Sequence, residues 1–239
     1  MKIAIMQPYF MPYIGYFQLI NTVDEFVVYD NIEYTKKGWI NRNRILVNDK
    51  EEYVSIPLKK DSDYLHVNQR FLSDTSFVEM KKKLNKIGEV YRKAPHYDQT
   101  MALLRDIFLY EEKNLFEFIK HSILKTLTFL NIHTPIVISS TIPIQNHLKS
   151  EEKVLAICKN QQAQTYINPI GGLTLYTHAT FKQNQINLQF IKSNFFQYPQ
   201  FNNEFVPWLS IIDVLMFNGV DKTKKLINTE FQLIENESV

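Results

Sequence analysis

Apolar positions change their period several times along this chain, and each change marks an element. Lys2 to Met6 (KIAIM) has the length of a buried strand, Tyr13 to Asn21 reads as a short helix, and Glu25 to Asp30 (EFVVYD) reads as a second buried strand. That order implies two parallel strands joined by a crossover. Residues 38–47 and 52–58 read as strands around a turn at Asn48-Asp49, and LHVNQRF is a candidate further strand. Residues 75–130 carry apolar positions three and four apart and predict helices, the first ending at Pro95. Alternation then returns: TPIVISS is a strand, KSEEKVLAICKNQQA a helix, TYINPI a strand, GGLTLYTHATFKQN a turn and helix, and INLQFIKS a strand. PWLSIIDVLMFNG predicts a helix closed by Asn218-Gly219, and residues 230–239 read as a ragged tail.

The predicted class is α/β: a Rossmann-like three-layer core with a mainly parallel five-stranded sheet. A β-hairpin insertion spans about 31–71 and a helical insertion about 75–130. No repeat, low-complexity segment or linker divides the 239 residues, so residues 1–239 are expected to form a single domain.

Composition changes this picture little. Hydrophobic residues make up 45% and charged residues 22%, ordinary for a chain with a proper core, and the formal net charge of +2 makes no electrostatic case for nucleic acid or an anionic membrane. The one cysteine, Cys158, excludes an intrachain disulfide, suits a reducing compartment, and reads as a packed thiol inside a helix. The first apolar run is too short for a signal peptide, and no stretch approaches the ~20 apolar residues of a membrane helix. The expectation is a cytoplasmic protein without membrane insertion.

Ligands of open parallel sheets lie beyond the carboxyl ends of the strands. There the first strand runs into Gln7, Pro8, Tyr9, Pro12, Tyr13, Gly15 and Tyr16. The prolines stiffen this loop, Gly15 permits close approach, and helix-start amides attract anions. The other reading is that Tyr9, Phe10 and Phe17 are core. In KKGWINRNRIL, a strand over 38–47 would put Trp39, Asn41 and Asn43 on one face and Arg42 on the other. Asn offers donor and acceptor together, Arg a planar fork, and Trp a stacking surface. Lys37 precedes this strand, and Asp30 ends the second strand as a candidate base or acceptor. Asn168, Gly171, Gly172 and Tyr176 cluster at a later strand-to-helix junction. Asp213, three residues after Ser210, is a carboxylate in an apolar helix, and Ser210 is a candidate cap. The six histidines form no HxH or HExxH spacing, so no metal site is expected. No GxSxG, Walker or GxGxxG pattern occurs, which leaves carboxylate, Lys, Tyr or positioning to carry any chemistry.

PYFMPYIGY resembles the HxGH signature of Rossmann-like nucleotidylyltransferases, with Tyr13 and Tyr16 in place of its histidines, and ISSTIP resembles that superfamily's ISSTxIR motif with Pro143 in place of arginine. Over nearly the whole chain, MKIAIMQPYFMPYIGYFQLI, DEFVVYDNIEYTKKGWINRNRIL, YINPIGGLTLY and LSIIDVLMFNG, in that order, resemble the WbqC-like protein family. The resemblance implies a role in bacterial O-antigen and other surface-polysaccharide biosynthesis, as a transferase placing an acyl or aminoacyl group on a nucleotide-linked amino sugar. It implies a small-molecule nucleotide sugar as ligand and an acyl carrier or aminoacyl-tRNA as donor; no cofactor is firmly implied. The rivals are a nucleotidylyltransferase-like enzyme with a degenerate HxGH motif and a non-catalytic nucleotide-sugar-binding protein. Carried over by position, the family pattern highlights Gln7, Tyr9, Tyr13, Gly15, Tyr16, Asp30, Lys37, Trp39, Asn41, Arg42, Asn168, Gly171, Gly172, Tyr176, Ser210 and Asp213, with Asn43 added from the strand pattern. TLY after the glycine pair departs from the more usual charged residue there. Nothing in the sequence sets the oligomeric state.

Overall fold

The computed structural model describes residues 1–145, 147–201 and 204–235. Strands β1 (Lys2–Met6), β2 (Glu25–Val28), β5 (Ile136–Ile138), β6 (Thr165–Pro169) and β7 (Asn187–Ser193) pair in parallel, and β8 (Phe231–Ile234) joins antiparallel to β7. The sheet order is β5-β2-β1-β6-β7-β8. The chain therefore builds outward from β1 in one direction, then returns to the centre and builds outward in the other. The sheet has six strands rather than the expected five, because residues 231–234 of the expected tail pair with β7; residues 236–239 of that tail lie outside the described part.

Both faces of the sheet are covered, and the strand period of two assigns each residue its side. Ala4, Phe26, Val28, Ile167 and Ile191 pack with the helices α1 (Ile14–Thr22) and α7 (Ile211–Thr229). Ile3, Ile5, Val27, Tyr166, Leu188 and Phe190 pack with α5 (Ser150–Asn160) and α6 (His178–Gln183). The central strands are apolar on both faces, as parallel strands buried between helices must be. Cys158 is one of these core side chains, and burial pushes its thiol up to about 12. The helices α2 (Ser76–Val90), α3 (Tyr97–Phe108) and α4 (Leu115–Phe129) fill the 75–130 span and extend the first core behind α7.

The hairpin is shorter than its pattern suggested. β3 (Arg42–Val47) and β4 (Lys50–Ser55) flank Asn48 and Asp49, whose φ angles of 49° and 64° give the two-residue turn that matches strand twist. Trp39 and Asn41 thus precede the strand instead of sharing a face with Asn43. LHVNQRF forms a single 3-10 turn at Val67–Gln69 rather than a strand. Asn218-Gly219 does not end the last helix either. Gly219 takes φ 66° and kinks α7, which then continues to Thr229. A side chain at Gly219 would also meet the His96 ring at 2.6 Å. No helix among the described residues is long and apolar enough to cross a membrane.

Candidate functional site

The loop after β1 is first a structural hub. Phe10 N donates to Ile40 O at 3.0 Å, Ser210 Oγ donates to Met11 O at 2.6 Å, and Ile211 N donates to Pro12 O at 2.9 Å. Phe10 and Met11 are fully buried. Ser210 also caps α7, accepting from Ile212 N at 3.2 Å. Tyr16 is buried, and its hydroxyl donates to Gln7 O at 3.0 Å. The Tyr13 ring lies over Gly15, where an added Cβ would meet it at 2.3 Å, so the room above that glycine is filled by the protein itself. What this loop leaves at the strand ends is the Gln7 side-chain amide and the half-buried Tyr9, whose phenol burial pushes up to about 12.

The β1–β6 boundary is where the chain order reverses, the place where ligands of such sheets bind. Met6 pairs with Val28, so Gln7 is followed across the sheet by Tyr29. The Tyr29 phenol is half-buried and raised to about 12 by burial first and by the nearby Tyr176 second. From β6 come Asn168 and the turn at Gly171-Gly172. Gly172 is required by Asn168, since an added Cβ would stand 2.0 Å from its Nδ2; Gly171 has nothing within 4 Å. Tyr166 Oη lies 3.1 Å from Asn168 Oδ1 and 3.2 Å from Tyr176 Oη, a short polar chain leading outward. Tyr176 precedes α6 in extended conformation rather than lying inside the helix.

Lys153, which the sequence reading overlooked, completes this mouth. It sits in the second turn of α5, its Nζ 4.5 Å from the Tyr29 ring centre and donating to Asn31 Oδ1 at 3.0 Å. Burial lowers its proton affinity, and Asp30 partly restores it. Its only sequence signal was its place near the start of a helix that follows a parallel strand. Asp30 is 2% exposed. Its Oδ1 accepts from Ser139 Oγ at 2.8 Å and Ser140 N at 2.9 Å, and its Oδ2 from Asn68 Nδ2 at 2.8 Å. ISSTIP therefore supplies two of the three donors named here, and Asn68 the third.

The other sequence candidates lie elsewhere. Asp213 is 0% exposed: its Oδ1 accepts from Tyr91 at 2.8 Å, its Oδ2 from Tyr198 at 2.6 Å and Gln200 at 2.7 Å. Burial raises its carboxyl to about 6 against the lowering effect of those bonds. Asn41 is spent on Ile56 O and the Tyr34 hydroxyl, at 2.9 and 2.8 Å, and Asn43 on Phe10 O and Arg44 N. Arg42 donates to the carbonyls of Gly38 and Lys37. Trp39 and Lys37 are on the surface of the hairpin base. A groove of about 1070 Å³ opens beside the mouth and shares Tyr176 with it. Its walls include Leu173, His178, Lys182, Ile186 and Leu188.

This defines a mixed α/β protein with a mostly parallel six-stranded sheet, whose strand ends carry a tyrosine, amide and lysine cluster. The profile of the WbqC-like protein family matches residues 7–225, and the chain belongs to that family. It is also 25% identical over 223 residues to an uncharacterized protein, Rv1507c, of Mycobacterium tuberculosis (strain ATCC 25618 / H37Rv), covering 92% of this chain and 95% of the relative. No solved structure shows a significant match.

Proposed function

We propose that this protein transfers an acyl or aminoacyl group to the amine of a nucleotide-linked amino sugar, on a Rossmann-like three-layer frame. The carrying observation is the convergence of Gln7, Tyr29, Lys153 and Tyr176 at the strand ends where the chain order reverses. Hydroxyls and amides there suit a polyhydroxylated ring, and burial lowers the proton affinity of the lysine beside them, the direction a general base requires. In the proposed step the sugar amine attacks the donor's carbonyl carbon, a C–N bond forms, and the bond to the carrier's sulfur or oxygen breaks. Lys153 takes the proton from the attacking nitrogen and returns it to the leaving group. The open backbone at Gly171 would serve the developing oxyanion. The apolar walls of the neighbouring groove would hold the acyl donor.

Asp213 is not retained as the base, because both its oxygens are occupied inside the core. A nucleotidylyl transfer is not favoured: Tyr13 and Tyr16 stand where the HxGH signature has histidines, a phenol carries no positive charge in either protonation state, and Tyr16 is buried with its hydroxyl on Gln7 O. The reading would place the reaction in bacterial surface-polysaccharide biosynthesis, on the cytoplasmic side where nucleotide-linked sugars are made.

The test is a thermal-shift screen against nucleotide-linked amino sugars, followed by transfer assays with acyl carriers. The expected result is a rise with one sugar nucleotide and transfer abolished in Lys153→Met, with the melting midpoint of that variant near wild type. Full transfer by Lys153→Met would remove the proposed base. Binding without transfer from any donor would favour a non-catalytic nucleotide-sugar-binding protein.

A further inference from the structure

The chain has two tryptophans, far apart in sequence, and both are at the surface: Trp39 is 36% exposed and Trp208 44%. One side chain joins them. The Arg44 guanidinium lies 5.2 Å from the Trp39 ring centre, and its Nη2 donates to Trp208 O at 3.3 Å. Trp39 neighbours Tyr53, 50% exposed, at 6.2 Å between ring centres, and the Arg42 guanidinium stands 4.7 Å from the Tyr53 ring centre. On its other flank Trp208 meets the Tyr13 ring edge-on at 6.3 Å. Tyr13 in turn is close enough to Tyr9 to act on its phenol, so the row runs from the hairpin back to the strand-end mouth.

Trp208 takes a left-handed φ of 60°, as Phe201 does at 52°. The crevice under the Trp208 ring, about 20 Å³, takes little more than one water and offers no slot for a ligand ring.

Aromatic faces interleaved with guanidinium groups are surfaces on which flat heteroaromatic rings stack. The charges nearby fit a nucleotide. Arg44 is already paired with Glu51, whereas the exposed Lys37 ammonium, two residues before Trp39, has no partner among the described residues. We infer that the Trp39–Tyr53 pair, flanked by the Arg44 and Arg42 guanidinium groups, is a stacking subsite for the base of a nucleoside diphosphate, with Lys37 beside it for phosphate. This rests on the reading that the ligand is nucleotide-linked, and it adds where the base sits.

Excitation at the red edge of the indole band reads the two tryptophans, and Trp39→Phe assigns the signal to the subsite. The purified full chain is titrated with UDP, CDP, ADP, GDP and dTDP, excited at the red edge of the indole band, with melting midpoints recorded in parallel. The expected result is saturable quenching by at least one of them, and a dissociation constant raised roughly fivefold to a hundredfold in Trp39→Phe with its melting midpoint unchanged. If Trp208→Phe fails to fold because of the left-handed backbone, Trp39→Phe carries the test. A nucleotide-dependent rise in melting midpoint without a fluorescence change overturns the subsite and leaves the proposed function standing. No rise and no quenching with these or with any nucleotide-linked amino sugar overturns both. Quenching by neutral oligosaccharides but by no nucleotide overturns the base assignment.

Discussion

Asp30 and Asp213 are both buried carboxylates, and their surroundings differ in kind. Asp30 lies two residues past the end of β2 and is held by a hydroxyl, a backbone amide and an Asn side chain, next to Asn31, Lys153 and Tyr29. Asp213 lies in the first turn of α7, closed in by two phenols and a glutamine, and Tyr91 accepts in turn from Leu46 N. One carboxylate holds the polar segments at the strand ends; the other ties α2, β3, α7 and the segment around Tyr198 into a single core. Burial alone does not mark a catalytic acid. The neighbours decide, and whether any of them faces outward.

The largest effect is expected at Asp213. Asp213→Ala leaves the Tyr91 and Tyr198 hydroxyls without their acceptor, leaves Gln200 Nε2 with Val206 O alone, and opens a void, and it should cost about 3–5 kcal/mol in denaturant unfolding. A loss below about 1 kcal/mol would show that the core is not tied through this carboxylate. The pH dependence is equally specific. The folded carboxyl titrates at about 6, above its ordinary value of 3.8, so the folded state binds this proton more tightly than the unfolded one. Its contribution is complete below about pH 4 and is lost as pH rises through about 6, roughly 3 kcal/mol in all. Asp213→Asn removes this slope and should gain on wild type by about that amount between pH 4 and 7. A constant difference between the two proteins over that range would assign the titration to another group.

Asp30→Asn should cost less, about 1.5–3 kcal/mol, the value of hydrogen bonds to a charged acceptor. It should also loosen amide protection at Ser140 and around Asn68. Protection unchanged in hydrogen exchange would separate Asp30 from the strand-end frame.

Next in size is the glycine pair. Gly172→Ala forces the Asn168 amide aside and should cost about 1–3 kcal/mol and weaken ligand binding. Gly171→Ala meets nothing within 4 Å and should stay within about 0.5 kcal/mol of wild type. Equal effects at the two positions would contradict the packing described. The smallest stability change is expected for Gln7→Ala, also within about 0.5 kcal/mol, with binding of the sugar nucleotide reduced. Asn41→Ala should behave in the opposite way: its amide serves Ile56 and Tyr34, so stability falls by about 1–2 kcal/mol while binding is retained.

The strand-end rule pointed from sequence to the ends of β1 and β6, because parallel order and strand length are written in apolar runs such as KIAIM and EFVVYD. It placed Gln7, Tyr9, Asn168, Gly172 and Tyr176 at the right ends of β1 and β6. It did not find Lys153 or Tyr29. Neither belongs to a motif, and they meet only because α5 returns beside β2. The asparagines before and within β3 looked like ligand groups because Asn is rare in strands. Their partners, Ile56 and Phe10, are contacts that no local pattern carries.

The sequence by itself determined the alternation of strands and helices, the two-residue turn at Asn48-Asp49, the cap at Ser210 and the membership of the family. These rest on local preferences and on apolar period, which a chain displays before it folds. Only the tertiary structure decided that residues 231–234 close the sheet, since a four-residue edge strand takes its identity from the strand it pairs with. It also decided that Gly219 bends α7 instead of ending it, and that the two tryptophans stand together through Arg44. Which polar groups remain free for a ligand is settled by hydrogen bonds between segments distant in sequence, where every buried donor must find its acceptor.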